Sequence, residues 1–407
     1  MKKTLQILAF LFTAGVAAQA QVVPAATAGP AYLRYSLRYS ETATFYSAGE
    51  ADQQRAIASG TLDYMNGGER LPFTMSYTGG YIFIFSGSSN GTGYFQNFSV
   101  SQGFIGRSWN IVFSDNVSYL PESATVGSSG VPGAGEPIGG SGSSPQSSQT
   151  VLTLNTPYLG NTARGEITRT INSATKFSAG GSTELITFPD GGGLDTDIEN
   201  ANLGLTRRLD ARNSLTGQYL FAQYSYASSP VTFETNTASA NYSRTWNRQL
   251  RTSVSAGPQF TQSSDSAVIP SSTGIYVNAS ADYSLRFGAA NLTYTHGKSG
   301  GGGYLIGGNQ DLVNAGFSRE LRRSLTIGLQ GSYRRLAGLA SSGIVTAEFG
   351  GAQASWRLND DFNLHANYTA IEQSQNAALP TNVLNQLEQV VGFGIEYAPH
   401  RQLRFRH

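Results

Sequence analysis

Apolar and polar residues alternate along much of the chain, and this period of two restricts the fold more than any other feature. Between positions 275 and 287 one parity reads Ile275, Val277, Ala279, Ala281, Tyr283, Leu285 and Phe287. The other parity is mostly polar and reads Tyr276, Asn278, Ser280, Asp282, Ser284 and Arg286. Successive side chains of a β-strand point to opposite faces, so the segment is predicted to be a strand with one apolar and one polar face. The same alternation recurs over 250–260, 325–334 and 362–370.

Short connections between these strands recur at regular intervals. They centre near Ala211, Arg248, Gly288, Arg322 and Asn359, which are 37, 40, 34 and 37 residues apart. Longer connections lie between them, as in a membrane barrel with short periplasmic turns and longer outer loops. Soluble propellers and solenoids can have similar repeat lengths, but no recurrent blade motif or second apolar face is present. The predicted fold is all-β, a transmembrane antiparallel up-and-down β-barrel of about 18 strands, with 16 as the alternative.

The composition fits a chain with one face in lipid. Charged residues make up 13% of the sequence, whereas soluble domains have roughly 25%. A barrel wall needs few charges, because one face contacts lipid and the other is lined by hydroxyl and amide groups. The net charge of +1 gives no electrostatic footprint for nucleic acid. The absence of cysteine excludes disulfides and thiolate metal sites.

The N-terminus has the pattern of an export signal. Lys2 and Lys3 precede an apolar run from Leu5 to Val16, and Ala18-Gln19-Ala20 supplies a small-x-small cleavage site. The run is shorter than the roughly 20 apolar residues of a spanning helix, which disfavours a membrane anchor. We therefore expect cleavage after Ala20 and a mature protein, beginning at Gln21, in the bacterial outer membrane. The predicted divisions are a signal peptide over 1–20, a periplasmic segment over 21–31, a barrel over 32–398 and a tail over 399–407.

The three tryptophans mark one end of the predicted barrel. Trp109 follows one short turn, while Trp246 and Trp356 precede two others, and all three share the apolar parity of their strands. Indole side chains favour the headgroup region, so these residues are expected to form an interface girdle. The opposite belt is expected at Tyr119, Tyr226, Phe260 and Tyr333. The outward arginines near the turns, which could reach headgroups, are Arg207, Arg244 and Arg319.

The last predicted strand reads Val391-Gly392-Phe393-Gly394-Ile395-Glu396-Tyr397. It resembles the C-terminal signal that outer-membrane proteins present to the barrel-assembly machinery, although the chain continues to His407 instead of ending on an aromatic residue. With its repeated hairpins and phrases such as Asn247-Arg248 and Ala256-Gly257-Pro258, the mature chain resembles the porin-like outer-membrane β-barrels of environmental Gram-negative bacteria. The resemblance implies the barrel-assembly machinery as a partner.

The polar parity is the candidate functional surface. A barrel of 16–18 strands encloses an aqueous channel, and an inner wall of Ser, Thr, Asn, Gln and Gly without an aromatic ladder favours small hydrophilic solutes with weak charge preference. The proposed pore-lining residues are Arg251, Asn278, Asp282, Arg286, Gln330, Arg334, Arg357, Asn363, His365 and Glu396. The alternatives are a loop-plugged barrel that exports or binds polysaccharide or a specific solute, and a structural barrel that displays loops. Other expected partners are outer-membrane lipid and lipopolysaccharide, with a homotrimer as an open possibility.

One outer loop, over 121–161, is by far the longest predicted connection. Its middle, from Val126 to Ser148, is rich in Gly, Ser and Pro, a composition that favours a flexible segment. It resembles the constriction loop of general porins in being the third outer loop and in its length, and this resemblance implies that it partly occupies and narrows the lumen. A surface loop fits the composition equally well.

The sequence shows little sign of catalytic chemistry. The histidines have no Ser or Asp partner at a recognisable spacing, and the glycine run 300–303 lacks the lysine of a phosphate loop. Asp190, Asp195 and Asp197 form a weak candidate for a calcium site, although their spacing matches no calcium loop and a solvated acidic loop is favoured. We expect no enzyme activity and no cofactor.

Overall fold

The computed structural model describes residues 29–47, 52–86, 91–120, 157–227, 229–301, 305–340, 343–376, 385–399 and 403–405. Within these residues the chain forms strands and short connections. The strands, numbered in chain order, are β1 Gly29–Tyr46, β2 Gln53–Gly67, β3 Phe73–Ser86, β4 Gly91–Ile105, β5 Trp109–Leu120, β6 Tyr158–Thr170, β7 Thr175–Thr187, β8 Thr196–Arg208, β9 Asn213–Tyr226, β10 Ser229–Thr245, β11 Leu250–Ser263, β12 Ser272–Leu285, β13 Gly288–Ser299, β14 Gly308–Arg322, β15 Leu325–Gly338, β16 Ile344–Arg357, β17 Phe362–Gln375, β18 Leu387–Tyr397 and β19 Leu403–Phe405.

The strands form one closed barrel. From β1 to β18, each strand pairs antiparallel with its neighbours in the chain, and β1 also pairs with β18 from Leu37–Tyr397 to Tyr46–Glu388. The predicted antiparallel up-and-down barrel of 18 strands is therefore confirmed. The described residues include no helix that is long and apolar enough to span a membrane.

The barrel ends differ slightly from the predicted boundaries. Strand β1 begins at Gly29, ahead of the expected start at residue 32. The tail also contributes β19, which pairs with Ala31 to Leu33 of β1. Residues 31–33 thus lie beyond the part of β1 that pairs with β18, and they pair with β19 instead.

The alternation of the sequence becomes the two faces of the wall. On β12 and β15 the apolar parity points outward, where Ile275 is 64% and Leu329 is 50% exposed. The polar parity of the same strands, including Asn278 and Gln330, points inward. Exposed apolar side chains around the whole outer wall give the barrel a surface suited to lipid.

The short turns share a local hydrogen-bond pattern. A side-chain oxygen accepts hydrogen bonds from the backbone N–H groups two and three residues further on, at 2.6–2.9 Å. Such turns favour Asn and Asp because their short side chains mimic a backbone carbonyl. The residues that supply the oxygen are Asn172, Asp210, Asn247 and Asn359.

Candidate pore and its outer constriction

The inner wall at mid-height is polar, and its side chains bond to one another across strands. Asn278 donates to Thr295 Oγ1 at 2.9 Å, and the hydroxyls of Ser253 and Ser280 lie 2.8 Å apart. These inward residues form hydrogen bonds with their neighbours on the adjacent strand, and their remaining polar atoms face the lumen. Such a surface can replace part of the hydration shell of a passing solute.

A charged group lies on the inner wall towards the end of β18. His365 Nε2 lies 3.0 Å from Glu396 Oε2, and Arg38 is the cross-strand neighbour of Glu396 on β1. The group carries both signs of charge, so it offers contacts to anions and cations alike. It also ties the closing strands together across the seam from β17 to β1.

The residues proposed to line the pore occupy two kinds of position. The inward parity of the strands includes Arg251, Asn278, Asp282, Gln330, Arg334, Asn363, His365 and Glu396. The two others lie at the turns: Arg286 places its guanidinium 5.0 Å from the Phe287 ring centroid, and Arg357 donates to the carbonyl of Arg323 at 2.8 Å. These two arginines therefore lie at the rim formed by the short turns and contribute less to the lumen wall.

The tryptophans lie at the turn end of the outer wall. Trp109, Trp246 and Trp356 are all exposed there. The opposite belt differs from expectation at one residue, because Tyr226 is 4% exposed and points into the lumen. On β9 the outward parity carries Leu215 and Tyr219, so an even-numbered residue of this strand faces inward.

The outer end of the lumen is apolar, contrary to the expectation of a polar inner wall without inward aromatics. One group of buried side chains, which we call the wall cluster, joins strands β2–β5 and β7 to β15 and β16. It consists of Ile57, Ile82, Phe95, Leu120, Ile186, Phe188, Leu305, Leu336 and Val345. Because β2 and β16 are separated around the wall by β17, β18 and β1, this contact crosses the interior of the barrel.

A second group, the aromatic cluster, lies on the lumen-facing side of β8 to β10, at the ends of these strands that are opposite the short turns. Tyr224 and Phe233 stack with ring centroids 4.5 Å apart, and Phe233 is 1% exposed. Ile269, from the connection between β11 and β12, packs into the same group. The full set is Ile198, Tyr224, Tyr226, Val231, Phe233 and Ile269.

In the connection between β13 and β14, which we call the inner loop, the structure describes residues 300–301 and 305–307, and these lie inward and join the two clusters. Leu305 belongs to the wall cluster, and its neighbour Ile306 packs against the aromatic cluster. Tyr226 fixes both ends of this inner loop: its hydroxyl donates to the carbonyl of Gly300 at 2.7 Å and accepts from the N–H of Gly307 at 2.9 Å. The described residues at both ends of the loop therefore lie inside the outer mouth of the lumen.

Glycine makes this path possible. Gly301 and Gly307 have φ angles of 77° and 71°, a conformation that other residues rarely adopt. A Cβ atom on Gly307 would also lie 2.8 Å from the Phe233 ring. Gly301, in the glycine run that lacks a phosphate-binding signature, thus has a structural role in the inner loop.

The apolar closure leaves a sequence signal that overall alternation conceals. On β10, Ala240 and Tyr242 share the outward parity, whereas Val231 and Phe233 lie on the opposite parity. The outward neighbours at that end, Thr232 and Glu234, are polar. Along β10 the apolar residues therefore change from the outward to the inward face. This change marks the level at which the outer wall no longer faces lipid and the lumen becomes narrow.

The predicted loop over 121–161 falls mainly outside the described residues, which resume at Pro157. The candidate calcium ligands do not converge. Asp195 accepts a hydrogen bond from the N–H of Phe188 at 2.8 Å, and Asp197 lies on the outward parity of β8 beside Thr183. In the part of the chain that the structure describes, no group of three His, Asp or Glu side chains could hold a metal ion.

The barrel is similar to solved outer-membrane proteins. OccK2 (OpdF) of Pseudomonas aeruginosa aligns with a TM-score of 0.48 and 10% identity, over 92% of this chain and 98% of that one. OccAB2 of Acinetobacter baumannii gives 0.47 and 7%, over 92% and 98%. OprD of Pseudomonas aeruginosa gives 0.43 and 12%, over 95% and 100%. No protein-family model matches the sequence, and neither does any curated protein.

Proposed function

We propose that the protein is an outer-membrane porin-like channel for passive diffusion of small hydrophilic solutes. The observation that carries this proposal is the closed barrel of 18 strands whose inner wall is polar at mid-height and whose outer wall is apolar. Barrels of this size enclose an aqueous channel unless a domain or loop fills them. The inner wall carries charges of both signs, such as Arg251 beside Asp282, which accounts for a weak charge preference.

In this proposal the inner loop, of which residues 300–301 and 305–307 are described, sets the upper size of the solutes that pass. It narrows the outer mouth, while the polar wall below it holds water. The loop over 121–161 remains a second proposed constriction, because its composition allows it to enter the same mouth.

Solute entry into liposomes tests the proposal. Purified protein in liposomes should admit monosaccharides faster than disaccharides and exclude larger oligosaccharides, since the narrowed mouth passes only small hydrated molecules. Heat-dependent gel migration verifies that the barrel is folded. A folded barrel that admits none of these sugars would contradict passive diffusion.

One observation favours a different function, a loop-plugged barrel that binds or exports a specific solute or polysaccharide. The inner loop is packed between two apolar clusters instead of being held by polar contacts alone. If the native barrel is silent in sugar uptake and a variant with a released loop is permeable, the plugged barrel replaces the passive pore.

Export to the outer membrane is part of the same proposal, with cleavage after Ala20. The supporting features are the N-terminal sequence pattern and the lipid-suited outer wall. Intact-mass measurement of protein from outer membranes should give a chain that begins at Gln21. The mass of the full 407 residues would contradict cleavage.

A further inference from the structure

The outer wall carries a groove across β7 to β11, with a volume of about 640 Å³. Large apolar side chains border it, among them Phe177, Leu203, Leu205 and Tyr219. Its floor consists of small side chains, namely Ala238, Ala240, Ala256 and Pro258. The groove runs along the lipid-facing parity of these strands, so an elongated apolar group can enter it from the membrane.

The backbone itself makes the groove. Pro258 has no N–H, and Ala238 and Ser239 of β10 have no registered partner on β11 beside it. Gly257 approaches β10 so closely that a Cβ atom would lie 1.9 Å from the carbonyl oxygen of Ala238. The depression is therefore a fixed feature of the wall, present before any ligand binds.

Arginines border the groove towards the periplasmic turns. Arg207 follows the groove residue Leu205 on β8, and Arg244 follows Ala240 on β10. Only β9 separates these two strands, so the two arginine backbones lie roughly 10 Å apart. Arg207 is exposed and has no side-chain partner among the described residues. The Arg244 guanidinium lies 4.0 Å from the Trp246 ring centroid, which holds it at the girdle.

The charges of the outer wall are separated by height. On the described strands, the outward charged residues within five positions of a periplasmic turn are Arg169, Arg207, Arg244 and Arg319, and none is a carboxylate. Outward carboxylates of β8 and β10 lie towards the opposite end, at Asp197, Glu199 and Glu234. In the turn between β8 and β9, Asp210 interacts electrostatically with Arg244, so the exposed Arg207 offers the less compensated positive charge to an anionic partner at the periplasmic level.

We propose that this groove binds an acidic glycerophospholipid of the periplasmic leaflet, with an acyl chain in the groove and the phosphate between Arg207 and Arg244. An acyl chain matches the elongated apolar groove, and a phosphate matches two arginines at headgroup depth. A second copy of the chain fits less well, because the outward charges of the described strands at this level are all arginines and the turn carboxylate of Asp210 already interacts with Arg244 of its own chain.

Native mass spectrometry with phosphatidylglycerol as the probe tests the proposal. The barrel in detergent should retain one phosphatidylglycerol molecule in preference to phosphatidylcholine. The double variant Arg207→Gln/Arg244→Gln should bind it roughly tenfold more weakly, because it loses the charge-assisted hydrogen bonds to phosphate. Ala240→Phe, which fills the groove and keeps both arginines, should weaken the binding of both lipids.

Arg319→Gln is the matched control, since Arg319 is an outward arginine near a turn on β14, away from the groove. It should leave phosphatidylglycerol binding unchanged. Equal retention by the native barrel and all variants would show unspecific annular lipid and overturn the proposal. Dimers or trimers that Ala240→Phe converts to monomers would also overturn it, because the groove would then be an interface between copies.

Discussion

Single side chains in the short turns have a defined task, which is to hold two backbone N–H groups. Asn172, Asp210, Asn247 and Asn359 all do so, and the sequence predicts turns beside the last three of them. What alternation and turn composition could not predict was Tyr226. Its aromatic ring near a strand end suggested an interfacial belt, but its inward parity on β9 and its bonds to the inner loop became visible only in the structure.

Asp210 is the one titratable member of this set of four turn residues. Hydrogen bonds from the Asn213 side chain and from the backbone N–H groups of Arg212 and Asn213 lower the pKa of its carboxyl below its ordinary value. Because the folded pKa is depressed, the stabilisation is present above the unfolded pKa and is lost as pH falls through the folded value. Asp210→Asn keeps the turn geometry but does not titrate. Denaturant unfolding at pH 7 and pH 3 should therefore show a smaller acid-induced loss in Asp210→Asn than in the native barrel; equal losses would contradict this role.

Tyr226→Phe should loosen the inner loop while keeping the aromatic packing. The change leaves the carbonyl of Gly300 and the N–H of Gly307 without their partner, at a cost of about 1–3 kcal/mol. Planar-bilayer recordings should show more frequent steps to a larger conductance. Tyr219→Phe is the control, since Tyr219 lies on the same strand and its hydroxyl bonds to Asn236 on the outer wall. Identical recordings from the two variants would show that the hydroxyl does not fasten the loop.

Strands are the scale at which the sequence was most informative. Strict alternation and regular turn spacing predict about 18 strands, with 16 as the alternative, in an up-and-down order. The reason is that a wall with one face in lipid and one in water alternates with a period of two along each strand. The same rule could not predict the apolar outer end of the lumen. Strands such as β10 continue beyond the level where lipid requires outward apolar residues, and their inward positions there pack against loops that are distant in sequence.

The two faces of β15 should respond oppositely to a buried charge. Leu329→Arg places a cation against lipid and should cost roughly 2–4 kcal/mol near the membrane midplane. Gln330→Arg, one residue further along the strand, places it in the polar lumen and should cost much less. Denaturant titration in lipid vesicles measures both. Equal costs would contradict the assigned faces.

At the scale of the whole molecule, the barrel combines closure of its wall with partial closure of its lumen. The wall closes through β1 and β18, which the sequence anticipated. The outer mouth narrows because connections between distant strands pack together in the wall cluster and the aromatic cluster. This packing depends on contacts across the barrel, and a local sequence pattern cannot predict such contacts.

Single-channel conductance tests the central claim, a water-filled channel narrowed at its outer mouth by the inner loop. Leu305→Ser/Ile306→Ser removes the two apolar side chains by which the inner loop contacts both clusters, while the barrel wall is unchanged. The native protein should show discrete conductance steps in planar bilayers, and the double variant should show distinctly larger ones. If both proteins are folded and the steps are equal, or if neither conducts, the channel narrowed by this loop is contradicted.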